Sequence, residues 1–149
     1  MHSINSAECV AIANVAKETK TIMFRACANN NFLIKGGQNT FRVPNIVIHT
    51  QGHAVADFVL DTLKHKGKRY FTFANDCAYG RLVVAAFKMR ILERQPDAQF
   101  VGERGPNATE NDPTPDITAI LSAKPDIVFT ALGVGVPFWQ RSAPFGLSH

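Results

Sequence analysis

The sequence predicts an α/β protein in which parallel strands are joined by helices as βαβ units. Two apolar runs have the length and composition of buried strands, residues 69–74 and 126–132. The segments between such runs carry apolar residues at helical spacing, and the two patterns alternate along the chain. In an open parallel sheet, ligands bind at the carboxyl ends of the strands, so any site is expected there.

The first third of the chain predicts a helix followed by a short strand. A helix is expected over residues 6–19, capped by Asn5 or Ser6, and its buried face would carry Cys9, Ile12, Ala13 and Ala16. The strand is predicted at 21–24, and the small and Asn residues of 25–31 predict a loop that leaves its carboxyl end. After a turn at Gly36-Gly37, residues 41–43 are extended, and Pro44-Asn45 marks a crossing between two packing units.

The second part predicts a regular alternation of helices and strands. A helix is expected over residues 51–65, with Gly67 as its left-handed cap. Its core stripe would consist of Val55, Phe58, Val59, Thr62 and Leu63. The remaining elements are predicted as a strand at 69–74, a helix from Gly80, a strand near 99–101, a surface loop at 105–115, a short helix at 116–123, a strand at 126–132 and a last helix at 138–145.

Composition narrows the class of protein. A chain of 149 residues that is 46% hydrophobic is long enough to bury a core. It has 16 basic and 12 acidic residues, and its densest basic cluster, Lys64–Arg69, lies between a helix and a strand, which favours a solvated turn over a nucleic-acid site. Three cysteines lack metal-type spacing, and no apolar run reaches membrane-spanning length. We therefore expect no nucleic-acid partner and no membrane insertion.

Two motifs resemble chemical sites without completing them. Gly133 and Gly135 follow a strand, but the third glycine of a dinucleotide-binding turn is absent. His49 and His53 share the spacing of metal ligands on a helix, yet no acidic or Cys partner stands nearby, so ordinary helix-start histidines are favoured. No nucleophile elbow, Walker loop or zinc-protease motif is present. The prediction is a non-enzymatic protein with no cofactor and no metal.

Tyr79 and Gly80 follow the strand at 69–74 and open the next helix. A tyrosine at this crevice mouth offers a flat apolar face and a polar tip to a ligand, although it could equally do no more than cover the end of the sheet. Ser6 at a helix start and the backbone after the strand at 21–24 could hold a carboxylate and an ammonium, which together suit a zwitterion. The alternative is that they are only capping and loop residues.

The ordered set of these residues resembles the type I periplasmic binding proteins of the Leu/Ile/Val-binding class, which are substrate-binding components of ABC transporters. The resemblance covers nearly the whole chain in the right order. It is carried by Ser6, Lys17-Glu18, Ile22-Met23, Ala26–Asn29, Lys35–Gly37, Phe41-Arg42, Gln51-Gly52, Ala56-Asp57, Asp76–Gly80, Asp116-Ile117, Lys124–Asp126 and Gly146-Leu147.

The resemblance implies parts of two Rossmann-like lobes that close over a small zwitterionic amino acid or amide and pass it to a permease. Ser6 would take the ligand carboxylate, the carbonyl of Ala26 would take the ammonium, and Tyr79 would close over the ligand from the second lobe. Ala28 stands where the family often has a Thr, so one contact to the ammonium would be missing. Residues 1–45 would belong to lobe 1 and residues 46–149 to lobe 2.

The resemblance also implies a periplasmic or lipid-anchored extracellular location. The family's first strands and the later half of lobe 2 have no counterpart in these 149 residues, so we expect a middle fragment that alone binds branched-chain amino acids negligibly and is poorly stable. Two alternatives remain: a sensory or regulatory ligand-binding domain of the same fold, and an α/β enzyme that uses Gly133–Gly135 for a nucleotide.

Overall fold

The computed structural model describes residues 6–25, 39–42, 48–106, 112–132 and 136–145. Its helices are α1 (Ser6–Glu18), α2 (Ile48–Asp57, continued by a π-helical turn Phe58–Thr62), α3 (Ala78–Arg94), α4 (Thr114–Ala123) and α5 (Val136–Ser142, followed by a 3₁₀ turn Ala143–Phe145). Its strands are β1 (Met23–Arg25), β2 (Thr40–Arg42), β3 (Arg69–Ala74), β4 (Gln99–Arg104) and β5 (Ile127–Ala131).

All strand pairs in the described residues are parallel, which confirms the predicted fold class. β1 pairs with β2, and the second sheet has the order β4–β3–β5. Tyr70 lies opposite Ile127 on one side and Phe100 on the other, and the β3–β4 register shifts after Tyr70. The chain therefore moves from the central strand to one neighbour and then to the other, with a helix between successive strands.

Strand β3 is the centre of the second sheet, and it is buried on both faces because helices cover both. Tyr70 and Ala74 belong to a core formed with α2 and α3, in which Phe87 is fully buried. Phe71 and Phe73 point the other way, into a core with α4 and α5. This buried run, in which a threonine is the one polar member, explains why the sequence predicts the bounds of β3 so well.

The first packing unit is smaller. The α1 residues Cys9, Ala13 and Ala16 pack on Met23 of β1. Ile12 packs against the same cluster while partly buried, so all four residues predicted for this face lie on it. On the opposite face of β1 and β2 the rings of Phe24 and Phe41 stack with their centroids 5.7 Å apart, and both side chains are half-exposed or more.

Four of the five residues predicted for the core stripe of α2 are exposed, Thr62 among them, and only Val59 is buried. Val55, Phe58 and Leu63 are 41%, 51% and 58% exposed. The other buried positions of α2 are Ile48, Gly52 and Ala56. Small residues are needed on part of this face because α2 lies very close to α3. A Cβ built on Gly52 would be 2.7 Å from Ala86 Cβ, Phe87 N and Val83 O.

The end of α2 also differs from the prediction. The left-handed residue is Lys64, with φ of 49°, and not Gly67. Gly67 is needed for another reason, since a Cβ there would lie 2.4 Å from the Cβ of Asp126. The helix begins and ends three residues earlier than the predicted 51–65, and its last five residues, Phe58–Thr62, form a π-helical turn.

A network of ion pairs joins α2 to α3 on the solvent side. Arg90 Nε and Arg94 Nη1 each donate to Asp57 Oδ1 at 2.8 Å, and Arg94 also holds Asp61 at 2.6 Å. Hydrogen bonds from these guanidinium groups lower the pKa of both carboxyls. The network fixes how the two helices lie against each other, although exposed ion pairs of this kind contribute little stability each.

Asp126 ties the start of β3 to the start of β5. Its Oδ2 accepts the backbone N–H groups of Lys68 at 2.8 Å and Arg69 at 3.0 Å. These two hydrogen bonds, from Arg69 first and then from Lys68, lower the pKa of the carboxyl from 3.8. The ionised form is therefore favoured in the folded state.

We expect Asp126→Asn to weaken the dependence of stability on acid pH. Because the folded-state pKa lies below the unfolded value of 3.8, the stabilisation is present above that value and is lost as the pH falls through the folded pKa. Urea unfolding at pH 7 and pH 3 should show a smaller difference for Asp126→Asn than for the unchanged protein. An identical difference for the two proteins would contradict the role of Asp126.

Candidate functional site

The carboxyl ends of all three strands of the second sheet meet at the loop that follows β3. The N–H of Asn75 donates to the carbonyl of Ala131 at 3.2 Å, at the end of β5. The N–H of Asp76 donates to the carbonyl of Pro106 at 3.1 Å, just beyond β4. The loop is thus bound to both neighbouring strand ends, at the edge of the sheet where α/β proteins bind ligands.

Gly80 makes the turn from β3 into α3 possible. A Cβ at this position would lie 2.1 Å from the carbonyl oxygen of Asn75, a backbone atom that has no room to move aside. The glycine therefore allows the first turn of α3 to begin directly over the end of β3. The predicted order of strand, tight loop and helix is confirmed.

Tyr79 is the second residue of α3. It is half-buried and packs against the core formed by α2, α3 and the sheet. Part of the side chain stays accessible at the edge of the sheet, so one ring can both cover the sheet end and contact a ligand. Its role in ligand binding remains a prediction.

The start of α3 has no side-chain cap. Cys77 occupies the N-cap position with extended backbone and makes no capping hydrogen bond. Its thiol is exposed and free. The first N–H groups of a helix point along its axis with a partial positive charge, so an uncapped start can donate to a carboxylate or carbonyl oxygen.

Asp76 and Arg81 form an ion pair beside this helix start, in which Arg81 Nη2 and Asp76 Oδ1 are 2.8 Å apart. The Arg81 side chain is 69% exposed, so it can still turn toward an anion. Sequence reasoning assigned no role to Cys77 or Arg81. The available signal was their position, since Cys77 is the N-cap of the helix that follows β3 and Arg81 lies in its first turn.

The other predicted site residues are only partly covered by the structure. Ser6 is the first residue of α1, and its role in ligand binding remains a prediction. Ala26 and Ala28, the lobe crossing near residues 44–47 and Gly133–Gly135 lie outside the described residues.

The described residues contain neither a cluster of metal-ligand side chains nor a membrane-spanning helix. No group of three His, Cys, Asp or Glu side chains is arranged in this part of the chain to hold a metal ion. In the same residues, no helix combines the length and the apolar character needed to cross a membrane.

Parallel α/β units with a candidate site at the strand ends are an arrangement that solute-binding proteins share with other α/β proteins, so the sequence profile decides the class. The sequence profile of the family described as periplasmic binding protein matches residues 1–149. The chain therefore belongs to the periplasmic binding protein family.

Solved structures of this class share the fold. A solute-binding protein of an ABC transporter from R. palustris, in complex with benzoate, has a TM-score of 0.81 and 19% identity over 96% of this chain and 39% of its own. A leucine binding protein from Thermotoga maritima has a TM-score of 0.79 and 20% identity over 98% of this chain and 41% of its own. Another R. palustris solute-binding protein, in complex with 4-hydroxybenzoate, has a TM-score of 0.82 and 18% identity over 98% and 39%.

These comparisons confirm the type I periplasmic-binding-protein fold and extend over almost all of this chain. The chain spans 39 to 41% of the length of these three solved structures. A comparison with curated proteins gave no match.

Proposed function

We propose that this chain is part of the substrate-binding component of an ABC transporter for branched-chain amino acids or related small amino-acid or amide solutes. It acts by binding rather than catalysis, and in a protein with both lobes it delivers the ligand to the permease. The observation that carries the proposal is the β3–α3 junction. It places an accessible aromatic side chain and an uncapped helix start together at the strand ends of a periplasmic binding protein.

The junction suits a ligand that has an apolar part and a negatively charged or carbonyl group. The ring of Tyr79 covers apolar surface, while the N–H groups at the starts of α3 and of α1, where Ser6 lies, donate to a carboxylate. The carbonyl of Ala26 accepts from the ligand ammonium, and Ala28 adds no side-chain hydrogen bond. Leucine and benzoate, named for two of the similar structures, are both carboxylates, which supports an anionic group as the shared feature.

A periplasmic location fits the state of the cysteines. Cys9 is buried in the core between α1 and β1 and is disulfide-bonded. Disulfides persist in oxidising compartments such as the bacterial periplasm and are rare in the cytosol. The bond therefore supports the location that membership of this family implies.

Tyr79→Ala should weaken ligand binding by about 1–3 kcal/mol, the range for losing a buried aromatic contact, which corresponds to roughly 5- to 150-fold in affinity. The measurement is calorimetric titration with leucine, isoleucine, valine and benzoate of a protein that carries this chain together with the rest of both lobes. Tyr79→Phe keeps the ring and separates the contribution of the hydroxyl.

Tyr70→Phe is the matched control, because Tyr70 is fully buried and its hydroxyl donates to Gln95 at 2.7 Å, away from the strand ends. It should leave affinity unchanged. Equal affinities for the unchanged protein and Tyr79→Ala would remove Tyr79 from the site. Absence of binding to every solute in the panel would count against the proposed ligand class itself.

A further inference from the structure

We propose that His49 and His53 of α2 form a two-histidine site for a divalent first-row transition-metal ion, separate from the ligand site at the strand ends. Both residues lie within the α-helical part of α2, four positions apart, and therefore on the same face. Their ring centroids are 5.7 Å apart and the rings are perpendicular. The two imidazoles already contact each other.

The distance between the rings fits a shared metal ion. A metal binds imidazole nitrogen at about 2.0–2.1 Å, so one ion can bridge rings whose centroids are up to roughly 6 Å apart. His49 is exposed, so its ring is free to turn and to direct a nitrogen toward that of His53.

One nitrogen of the pair lacks a partner. His53 Nε2 is buried and makes no hydrogen bond with the rest of the described structure. A buried polar atom without a partner costs free energy, and a metal ion supplies the missing interaction. This nitrogen distinguishes His53 from His65, whose Nδ1 already accepts the N–H of Gly67 at 2.9 Å.

The donor set selects the kind of metal. Two neutral imidazoles suit Cu²⁺, Ni²⁺ or Zn²⁺ and not Mg²⁺ or Ca²⁺, which prefer oxygen. Because His53 Nε2 is buried, the half-buried His53 ring has to turn toward the exposed His49 before a metal ion can reach it. Water on that exposed side completes the coordination. A two-ligand site is weaker than a structural zinc site, and it stays open to exchange.

The helix holds the two histidines in place. Gly52, between them, lies against the backbone of α3, and the Asp57–Arg90 ion pair fixes the end of the same helix. Because the backbone is set before the metal arrives, little ordering has to accompany binding.

The test uses Ni²⁺, which does not oxidise the exposed thiol of Cys77. In a ¹⁵N–¹H NMR titration of the whole chain, substoichiometric Ni²⁺ should broaden the amide signals of residues 48–54 first. His49→Ala and His53→Ala should each lower the Ni²⁺ affinity measured by calorimetry by roughly tenfold or more, since the remaining imidazole binds without its neighbour. His65→Ala, the matched control, should leave it unchanged.

His49→Ala also distinguishes a loss of metal binding from a loss of folding. His49 is exposed, so His49→Ala should keep the circular dichroism spectrum and the thermal unfolding midpoint measured without metal. Broadening that is centred elsewhere in the chain, or equal Ni²⁺ affinity in the unchanged protein and in His49→Ala, would overturn the proposal.

Discussion

Phe87→Ala should lower the free energy of unfolding by about 3–5 kcal/mol, the range for truncating a buried aromatic side chain. Phe87 of α3 is fully buried. Its ring stacks on Phe129 of β5 with a centroid distance of 4.1 Å and an angle of 7°, and it meets Tyr70 of β3 edge-on at 6.1 Å. The substitution removes contacts to the central strand and to its neighbour at once, so the surrounding side chains cannot close the cavity easily.

Urea unfolding followed by circular dichroism measures this effect. Met89→Ala is the matched control, because Met89 lies two residues along the same helix and is 50% exposed. It should cost less than about 1 kcal/mol. Equal losses for the two variants would show that the core between α3 and the sheet is not packed as described.

Gly80→Ala should destabilise the protein by about 1–3 kcal/mol and should also disturb the candidate ligand site. The added methyl group would lie 2.1 Å from the carbonyl oxygen of Asn75, so the loop or the first turn of α3 must move. Either movement shifts Tyr79 and the uncapped N–H groups away from the ends of the strands. We therefore expect Gly80→Ala to lower ligand affinity by more than the decrease in the fraction of folded protein would produce.

Gly105→Ala provides the comparison. Its Cβ would lie 3.1 Å from the carbonyl oxygen of Ala74, a close contact on the same edge of the sheet that a small adjustment relieves. Thermal unfolding and ligand titration of both variants, in a protein with both lobes, measure the two effects separately. If Gly80→Ala unfolds and binds like Gly105→Ala, the turn is looser than the structure indicates.

Strands β3 and β5 were the most predictable elements of this fold, whereas β1 begins two residues later than predicted and β4 extends three residues further. The apolar run from Arg69 to Ala74 is flanked by a basic turn and by Asn75-Asp76, and it is buried on both faces, so its bounds follow from composition alone. The start of α1 and the strand at Ile127–Ala131 are also predicted to within a residue. In these segments local sequence preference and tertiary packing agree.

The face of α2 could not be predicted, because the reason for it lies in another helix. A pattern of large apolar residues favours Val55 and Phe58 for the core, whereas the close approach of α3 requires Gly52 and Ala56 there. The π-helical turn then changes the spacing once more, and the left-handed residue that follows it is Lys64. Neither the approach of a second helix nor a local widening of the backbone leaves a clear periodic signal.

The positions of the candidate site residues could be predicted only where the residues are contiguous in sequence. Tyr79 and Gly80 were placed at the end of β3 because a strand, a loop and a helix are contiguous in sequence. Arg81 was missed because its pairing with Asp76 depends on how sharply the loop turns. The roles of Ser6, Ala26 and Ala28 rest on the family resemblance and stay predictions.

The free thiol of Cys77 offers a practical route to watching this protein at work. It is exposed at the N-cap of α3, two residues from the ring proposed to close over the solute. An environment-sensitive fluorophore attached at this sulfur would change its emission as the surroundings of Tyr79 change from water to ligand. In a protein with both lobes, the labelled Cys77 would then report binding of the solute by a change in fluorescence, and no cysteine would have to be introduced for labelling.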